Sequence, residues 1–432
     1  MDIQSFTAAM QPFMGRVLRE IGPRPPCSEA ERKLGAVLEE DWRGFCDQVD
    51  LHSFHCHPRA FLGWIPWMVA VYLAVLASYW LLPPLAFILA CGATLVLFLQ
   101  GIRFRELLDR FFPMAQGHNV VGVLRPRGEI ARRIVLMAHQ DSAYEFTLWQ
   151  RFGNLSVPMM VLVGVAFVWM TLGSLAAAIA WSLGGVDHVA FTVIGVVGLC
   201  LYPVVGLFVF ITAWTPVPGA MDNLSGIAVI SALGRAAARG ADDGLRLLGS
   251  TEIVLLATSS EEAGLRGSRR FVQRHRARLE RTPTYVINLD GIGDPAHMAF
   301  ITRELWQGVR HDDALISLGM DCAQQQGLEV KRIQLPVGGT DAASFAQAKI
   351  PSTTLICQDS TRLVPNYHTR LDTLENMDPR ALEQSFQLVL AMMQRLDTGA
   401  LELASEPAEA SWGTQDPPAP ERPPLDTPLE TP

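Results

Sequence analysis

From Ala60 to Ile102 the sequence runs for 43 residues without one Asp, Glu, Lys or Arg, with Pro83-Pro84 at its middle. That is about twice the roughly 20 apolar residues that span a bilayer. The run therefore predicts two helices, about Phe61–Leu82 and Leu85–Gln100, with the prolines in the turn. A second pair is expected at about Val157–Ser182 and Val189–Trp214, separated by Gly184-Gly185 and Asp187-His188. Helices buried in a soluble core rarely run this long without polar residues, so the reading is four transmembrane helices inserted as two hairpins. No charged residue falls within the four spans, which fits an anchor in membrane lipid rather than an ion or proton path.

Charge sets the expected orientation. Arg43, Arg59, Arg103, Arg105, Arg110 and Arg151 flank the outer ends of the hairpins, and the two short turns carry neither Lys nor Arg. By the positive-inside rule the remainder of this multi-pass chain faces the cytoplasm. The N-terminus lacks the basic-then-apolar pattern of a secretory signal and reads as an amphipathic helix. The formal net charge of −8 is local in origin. Residues 402–432 hold seven acidic residues and one Arg, so the body is near neutral and gives nucleic acid no electrostatic footing. Seven widely spread cysteines without a CxxC pair argue against a disulfide scaffold or a thiolate-held metal.

Outside the hairpins, apolar runs of strand length recur at Val120–Leu124, Ile134–Ala138, Ile253–Thr258, Tyr285–Leu289 and Thr353–Cys357. Helical stretches such as Gly226–Arg239, Gly267–Glu280 and Asp312–Gln326 alternate with them, and Ser28-x-x-Glu31 reads as a capping box opening a helix to about Cys46. Continuous apolar strands alternating with helices predict an α/β fold, a three-layer α/β/α sandwich with a mixed, largely parallel sheet. The expected organisation is one soluble domain in three pieces, residues 1–59, 103–151 and 215–401. Hairpins at 60–102 and 152–214 interrupt it, and a disordered Pro- and Glu-rich tail at 402–432 follows.

Functional residues are expected just past the strand ends, where the polar residues share one character. Ile134–Ala138 is followed by His139-Gln140-Asp141, Ile253–Thr258 by Ser259-Ser260-Glu261-Glu262, and Tyr285–Leu289 by Asp290. The last strand is followed by Tyr367-His368-Thr369, and Gly219-Ala220-Met221-Asp222-Asn223 stands after the second hairpin. One such histidine would be structural more often than not. Five sites that all offer nitrogen or carboxylate ligands are hard to explain as surface charge.

The segments AHQDS, GAMDNLSGIA, SSEEAGLRGS, INLDGIG and HTRLDTLEN, in this order, resemble family 28 of the metallopeptidases, which includes the bacterial leucyl aminopeptidases. The resemblance runs from GPRPPCSEAERK to about residue 396 and implies two zinc ions. His139 and Asp290 would hold one, Glu262 and His368 the other, and Asp222 would bridge them. It also implies Glu261 as general base, Asp141 as the partner that orients His139, and peptides as substrates cleaved at a free N-terminus. Gly339, Thr340 and Asp341 resemble a family loop near the substrate pocket, although a plain turn into a helix reads equally well. Met221 departs from the Asp or Asn that often precedes the bridging residue, and the second hairpin lengthens the gap from His139 to Asp222. Glutaminyl cyclisation, carboxypeptidase-like action and an inactive membrane scaffold are the competing functions. The oligomeric state is not legible. His52, His55 and His57 with Cys56 look like a further metal cluster, but alternation along a strand would put His52 and Cys56 on the opposite face from the other two.

Overall fold

The computed structural model of the chain describes residues 3–185, 188–239, 249–362 and 364–401; the tail expected at 402–432 lies outside them. In chain order the strands are β1 Gln48–Cys56, β2 Ala115–Leu124, β3 Arg132–His139, β4 Tyr144–Phe146, β5 Thr212–Pro216 and β6 Thr251–Thr258. They continue with β7 Thr284–Ile292, β8 Met298–Glu304, β9 Val309–Arg310, β10 Lys331–Leu335 and β11 Ser352–Cys357. The main sheet has the order β1-β2-β6-β3-β7-β11-β8-β10, with β9 on β8. Its centre, β6-β3-β7-β11, is parallel, as the apolar runs predict. The flanks depart from the largely parallel expectation, because β1–β2, β2–β6, β11–β8 and β8–β9 pair antiparallel. Connectivity accounts for β8–β9, whose four-residue link is too short for a parallel crossover.

Side-chain parity assigns the two faces. On β3, Ile134, Leu136 and Ala138 point to one side with Ile253, Leu255 and Ala257 of β6. There they meet Leu34, Leu38 and Trp42 of the helix Glu29–Arg43, and the helices Ser225–Arg239 and Arg380–Asp397. Val135 and Met137 point the other way with Val254 and Leu256, against Phe271 and Leu279 of the helix Arg266–Arg281 and Phe345. Each large apolar side chain so buried contributes about 1.5–3 kcal/mol, so a one-residue slip of β3 would forfeit both faces at once.

Among the described residues, four helices are long and apolar enough to cross a membrane, at Ala60–Leu81, Pro83–Ile102, Thr147–Ser182 and Val189–Phe210. They share one apolar cluster, and polar groups link them: the Tyr72 hydroxyl donates to the Gly198 carbonyl at 2.9 Å, and Thr94 and Thr171 hydroxyls meet at 2.8 Å. Two details differ from expectation. Pro83 and Pro84 begin the second helix instead of filling the turn, which is Leu82 alone at φ −149° and ψ 77°; proline suits a first helical turn because no N–H is needed there. The fourth helix ends before Trp214, because Thr212–Pro216 leaves it to pair with β4.

Both helical pairs occupy hairpin positions. The first joins β1 to β2, whose last pairing is Cys56 with Ala115, and the second joins β4 to β5. Strand β1 alternates as expected, with His52 and Cys56 buried and His55 exposed. His52 Nδ1 meets His275 Nε2 at 3.1 Å and Phe271 stacks beside them, while His57 Nδ1 bonds the Phe112 carbonyl at 2.7 Å, so this group does not converge on a metal position.

The histidine pair makes stability pH-dependent. Burial, with the Arg274 charge adding, lowers His52 to about 4; burial, then His52 and nearby arginines, lowers His275 to about 2. Folded values below the unfolded 6.5 mean that the unfolded chain takes up protons first. The contribution is thus complete above pH 6.5 and lost as pH falls towards 4, at about 1.4 kcal/mol per unit for each histidine. Thermal midpoints in detergent should fall between pH 6.5 and 4.5, and a His52→Asn/His275→Asn double variant should flatten that part of the profile. Equal slopes would exclude the pair as the cause.

Candidate metal centre

Five segments deliver the polar residues to one place beyond the strand ends. His139 closes β3 and Asp290 lies near the end of β7. Glu261 and Glu262 follow β6, Asp222 sits in the turn ahead of the helix Ser225–Arg239, and His368 lies in the loop after β11 with φ +52°. His139 Nε2 stands 3.0 Å from Asp222 Oδ1 and 3.7 Å from Asp290 Oδ1. His368 Nε2 stands 3.1 Å from Asp222 Oδ2 and 3.2 Å from Glu262 Oε1. Asp222 therefore presents one oxygen to each histidine, and two triads share it. A third group, His139 with Glu261 and Glu262, also has its ligand atoms within 4.8 Å of one another.

The donor chemistry fits divalent cations. Asp222 and His368 are 4% and 7% exposed, and Glu262 Oε1 is buried facing His368 Nε2. Four carboxylates this close cannot all stay ionised without positive charge among them. Protons reveal the same demand. Burial works to lower His368, yet Glu262 and Asp222 outweigh it and push it up to about 10. His139 is likewise raised, with Asp141, Asp222 and Asp290 overcoming its burial. Imidazole and carboxylate oxygens are ligands suited to zinc.

Asp141 organises the neighbouring loop. Its two carboxylate oxygens accept the backbone N–H groups of Glu261 at 3.2 Å and Glu262 at 3.0 Å. His139 Nδ1 lies 3.2 Å from the Asp141 backbone carbonyl and 3.5 Å from its carboxylate, so the main chain makes the closer contact with the ring. Burial raises Glu261 well above the usual carboxylate range; His139 pulls it down, and Glu262 and Asp341 add to the rise.

One wall is aromatic. Tyr367 stacks on His368 at 4.0 Å between ring centroids, Trp149 stacks on Tyr367 at 5.5 Å, and Phe146 meets His368 edge-on at 4.7 Å. Phe146 N–H also donates to the His368 carbonyl at 3.0 Å, tying the stem of the second helical pair to the site. Of the loop Gly339–Asp341, Gly339 lies against Gln307 with no room for a Cβ. Thr340 is buried and donates through its hydroxyl to Glu304 at 2.7 Å, and Asp341 accepts from the Thr258 hydroxyl at the end of β6.

Three supporting residues escape sequence reasoning. The Asp372 carboxylate accepts N–H groups of Met221 at 2.7 Å and Asp222 at 3.1 Å. Arg24, fully buried, donates to the carbonyls of Gln140, Pro218 and Gly219 at 3.0, 3.0 and 2.8 Å. Glu31 does not close its capping box: Ser28 Oγ accepts from Glu31 N, but the Glu31 carboxylate instead accepts from Cys27 N at 2.6 Å and Ser260 N at 3.1 Å. All three lie inside or next to the quoted motifs GPRPPCSEAERK and HTRLDTLEN, which was the available signal.

The mixed α/β sheet thus carries buried histidine and carboxylate side chains just past its strand ends. Residues 186–393 match Peptidase family M28. Solved structures share the fold. BSAP, a zinc aminopeptidase from Bacillus subtilis, aligns at 16% identity over 89% of this chain and 94% of its own, with a TM-score of 0.53. A Zn-dependent exopeptidase from Parabacteroides distasonis aligns at 14% identity over 91% and 97%, also at 0.53. A glutaminyl cyclase from Bacteroides thetaiotaomicron aligns at 14% identity over 91% and 97%, at 0.50. No curated protein matches the chain.

Proposed function

We propose that this chain is a membrane-anchored, zinc-dependent aminopeptidase. The observation that carries the reading is the pair of buried triads that share Asp222. His139 and Asp290 would hold one zinc, His368 and Glu262 the other, with Asp222 reaching both. Two divalent ions a few ångströms apart repel, and a shared carboxylate offsets that repulsion. Bound there, the ions would supply Lewis acidity to the scissile carbonyl and to the attacking water.

The protein's own residues do the rest. Glu261 takes a proton from the water on a carboxylate oxygen and returns it to the leaving amine as the C–N bond breaks; its raised pKa suits both directions. Asp141 fixes the backbone on which Glu261 and Glu262 sit. Tyr367, Trp149 and Phe146 form an apolar wall for the first side chain of the peptide. The buried Thr340 and Asp341 support the site through Glu304 and Thr258, and Gly339 lets the loop pack closely against Gln307. The four apolar helices anchor the peptidase in lipid, with the three soluble pieces, 1–59, 103–151 and 215–401, on the cytoplasmic face. The second helical pair brings the site close to the membrane surface.

The test is residue release from a panel of aminoacyl amides and their N-acetylated counterparts by detergent-purified protein. Free amines bearing apolar or aromatic first residues should be cleaved and acetylated ones spared. Equal cleavage of both would sink the exopeptidase reading. Pyroglutamate formed from N-terminal glutamine without amide hydrolysis would favour a cyclase, as in the Bacteroides relative. A protein that neither turns over nor holds zinc would be a scaffold.

A further inference from the structure

Cys27 and Cys56 lie far apart in sequence, yet their Sγ atoms stand 3.4 Å apart. Cys56 is the last residue of β1, buried, where the chain leaves for the first helical pair. Cys27 is partly exposed, in the loop ahead of the helix Glu29–Arg43, with φ +59°. Its Sγ also touches Ser260 Oγ at 3.1 Å. Ser260 is the residue before Glu261, and its own φ is +60°, a left-handed conformation that a serine keeps only when its surroundings hold it. Glu31 joins the same loop by accepting from both Cys27 N and Ser260 N. Whatever moves Cys27 therefore acts on the backbone that carries Glu261.

The structure assigns Cys27 and Cys56 as a reversible disulfide site that couples thiol oxidation to the Ser260–Glu261 loop. The functional half of this statement rests on the peptidase reading above. A disulfide needs its sulfurs at about 2.05 Å, so closure draws Cys27 towards Cys56 and removes the thiol hydrogen it shares with Cys56 and Ser260. The Cys56 thiol lies below its usual range through the Cys27 hydrogen bond, with burial opposing and Ser260, Arg266 and Arg270 assisting. Cys27 is the less buried residue of the two.

The oxidant is a low-molecular-weight disulfide. Cys27 attacks one sulfur of the oxidant, its thiol proton passing to the thiolate that leaves as the oxidant's S–S bond breaks. Cys56 then attacks Cys27 Sγ, its own thiol proton passing to the second thiolate as the mixed S–S bond breaks. The two cysteines lose two electrons and two protons, and the oxidant gains them as two thiols.

The experiment incubates the full-length protein in detergent with oxidised glutathione, followed by non-reducing peptide mapping, steady-state kinetics and hydrogen exchange. The expected map shows a Cys27–Cys56 cross-link, two hydrogens lighter than the dithiol. The segment 259–262 should change its exchange protection, and kcat should fall about 10- to 100-fold, the range for a displacement near 1 Å at a catalytic group. KM should move less than about twofold, and dithiothreitol should restore all three readouts. Cys27→Ala should form no cross-link and keep its kcat under oxidised glutathione, and Cys56→Ala should stop at a Cys27–glutathione mixed disulfide without the two-hydrogen-lighter cross-link. Thiols that stay free, or a cross-link that leaves both kcat and the exchange of 259–262 unchanged, would overturn the proposal. A reduced protein without peptidase activity whose cross-link still alters exchange at 259–262 would sink the aminopeptidase and leave the thiol site standing.

Discussion

Glu261→Gln is expected to lower kcat on an aminoacyl amide by about 10²–10⁴-fold, the usual worth of a positioned general base, equivalent to roughly 3–5 kcal/mol of barrier. The amide keeps the size of the carboxylate, so the backbone bonds from Asp141 to residues 261 and 262 should survive. Zinc content and thermal midpoint should therefore match the wild type, and KM should change little. Kinetics and metal analysis on one preparation check both halves. A kcat within tenfold of wild type, with zinc in place, would assign the proton transfer to another group.

Asp222→Ala should have the larger effect on the metal itself. Asp222 faces both histidines, at 3.0 and 3.1 Å, so its loss removes a ligand from each triad together. Metal content should fall from about two ions per chain towards none, and activity below detection. Asp290→Ala removes a ligand from the His139 side only and should leave about one ion per chain. Mass spectrometry of the intact protein under native conditions separates these outcomes. Two ions retained in the Asp222 variant would refute a shared ligand. Because ligands that bind only the folded state stabilise it, chelated wild type should also melt below the metal-loaded protein.

The two levels of organisation were unequally legible. Strands β3, β6, β7 and β11 announce themselves as continuous apolar runs because both faces are buried. His139, Glu261, Glu262 and Asp290 could be grouped from sequence for the same reason: each follows or ends such a run. Their proximity was readable; their roles rest on the family resemblance. The antiparallel flanks were less visible, since β1 alternates buried with exposed residues and its partner β2 lies beyond a membrane-length insertion. Arg24, Glu31 and Asp372 were hidden for a different reason. Their partners are backbone groups more than a hundred residues away, and main-chain N–H and C=O groups leave no mark in a sequence. Glu31 even carried a misleading local explanation, because Ser28-x-x-Glu31 describes a self-contained cap.

Both helical pairs return the chain to the strand beside the one it left, and this dictates an order of assembly. During synthesis His139 emerges before the second pair, whereas Asp222, Glu262, Asp290 and His368 all emerge after it. Strand β3 likewise waits for both its neighbours, β6 and β7. A nascent chain therefore has no complete ligand set until all four apolar helices have been made. On the function proposed above, hydrolytic competence would then be withheld until the four helices exist.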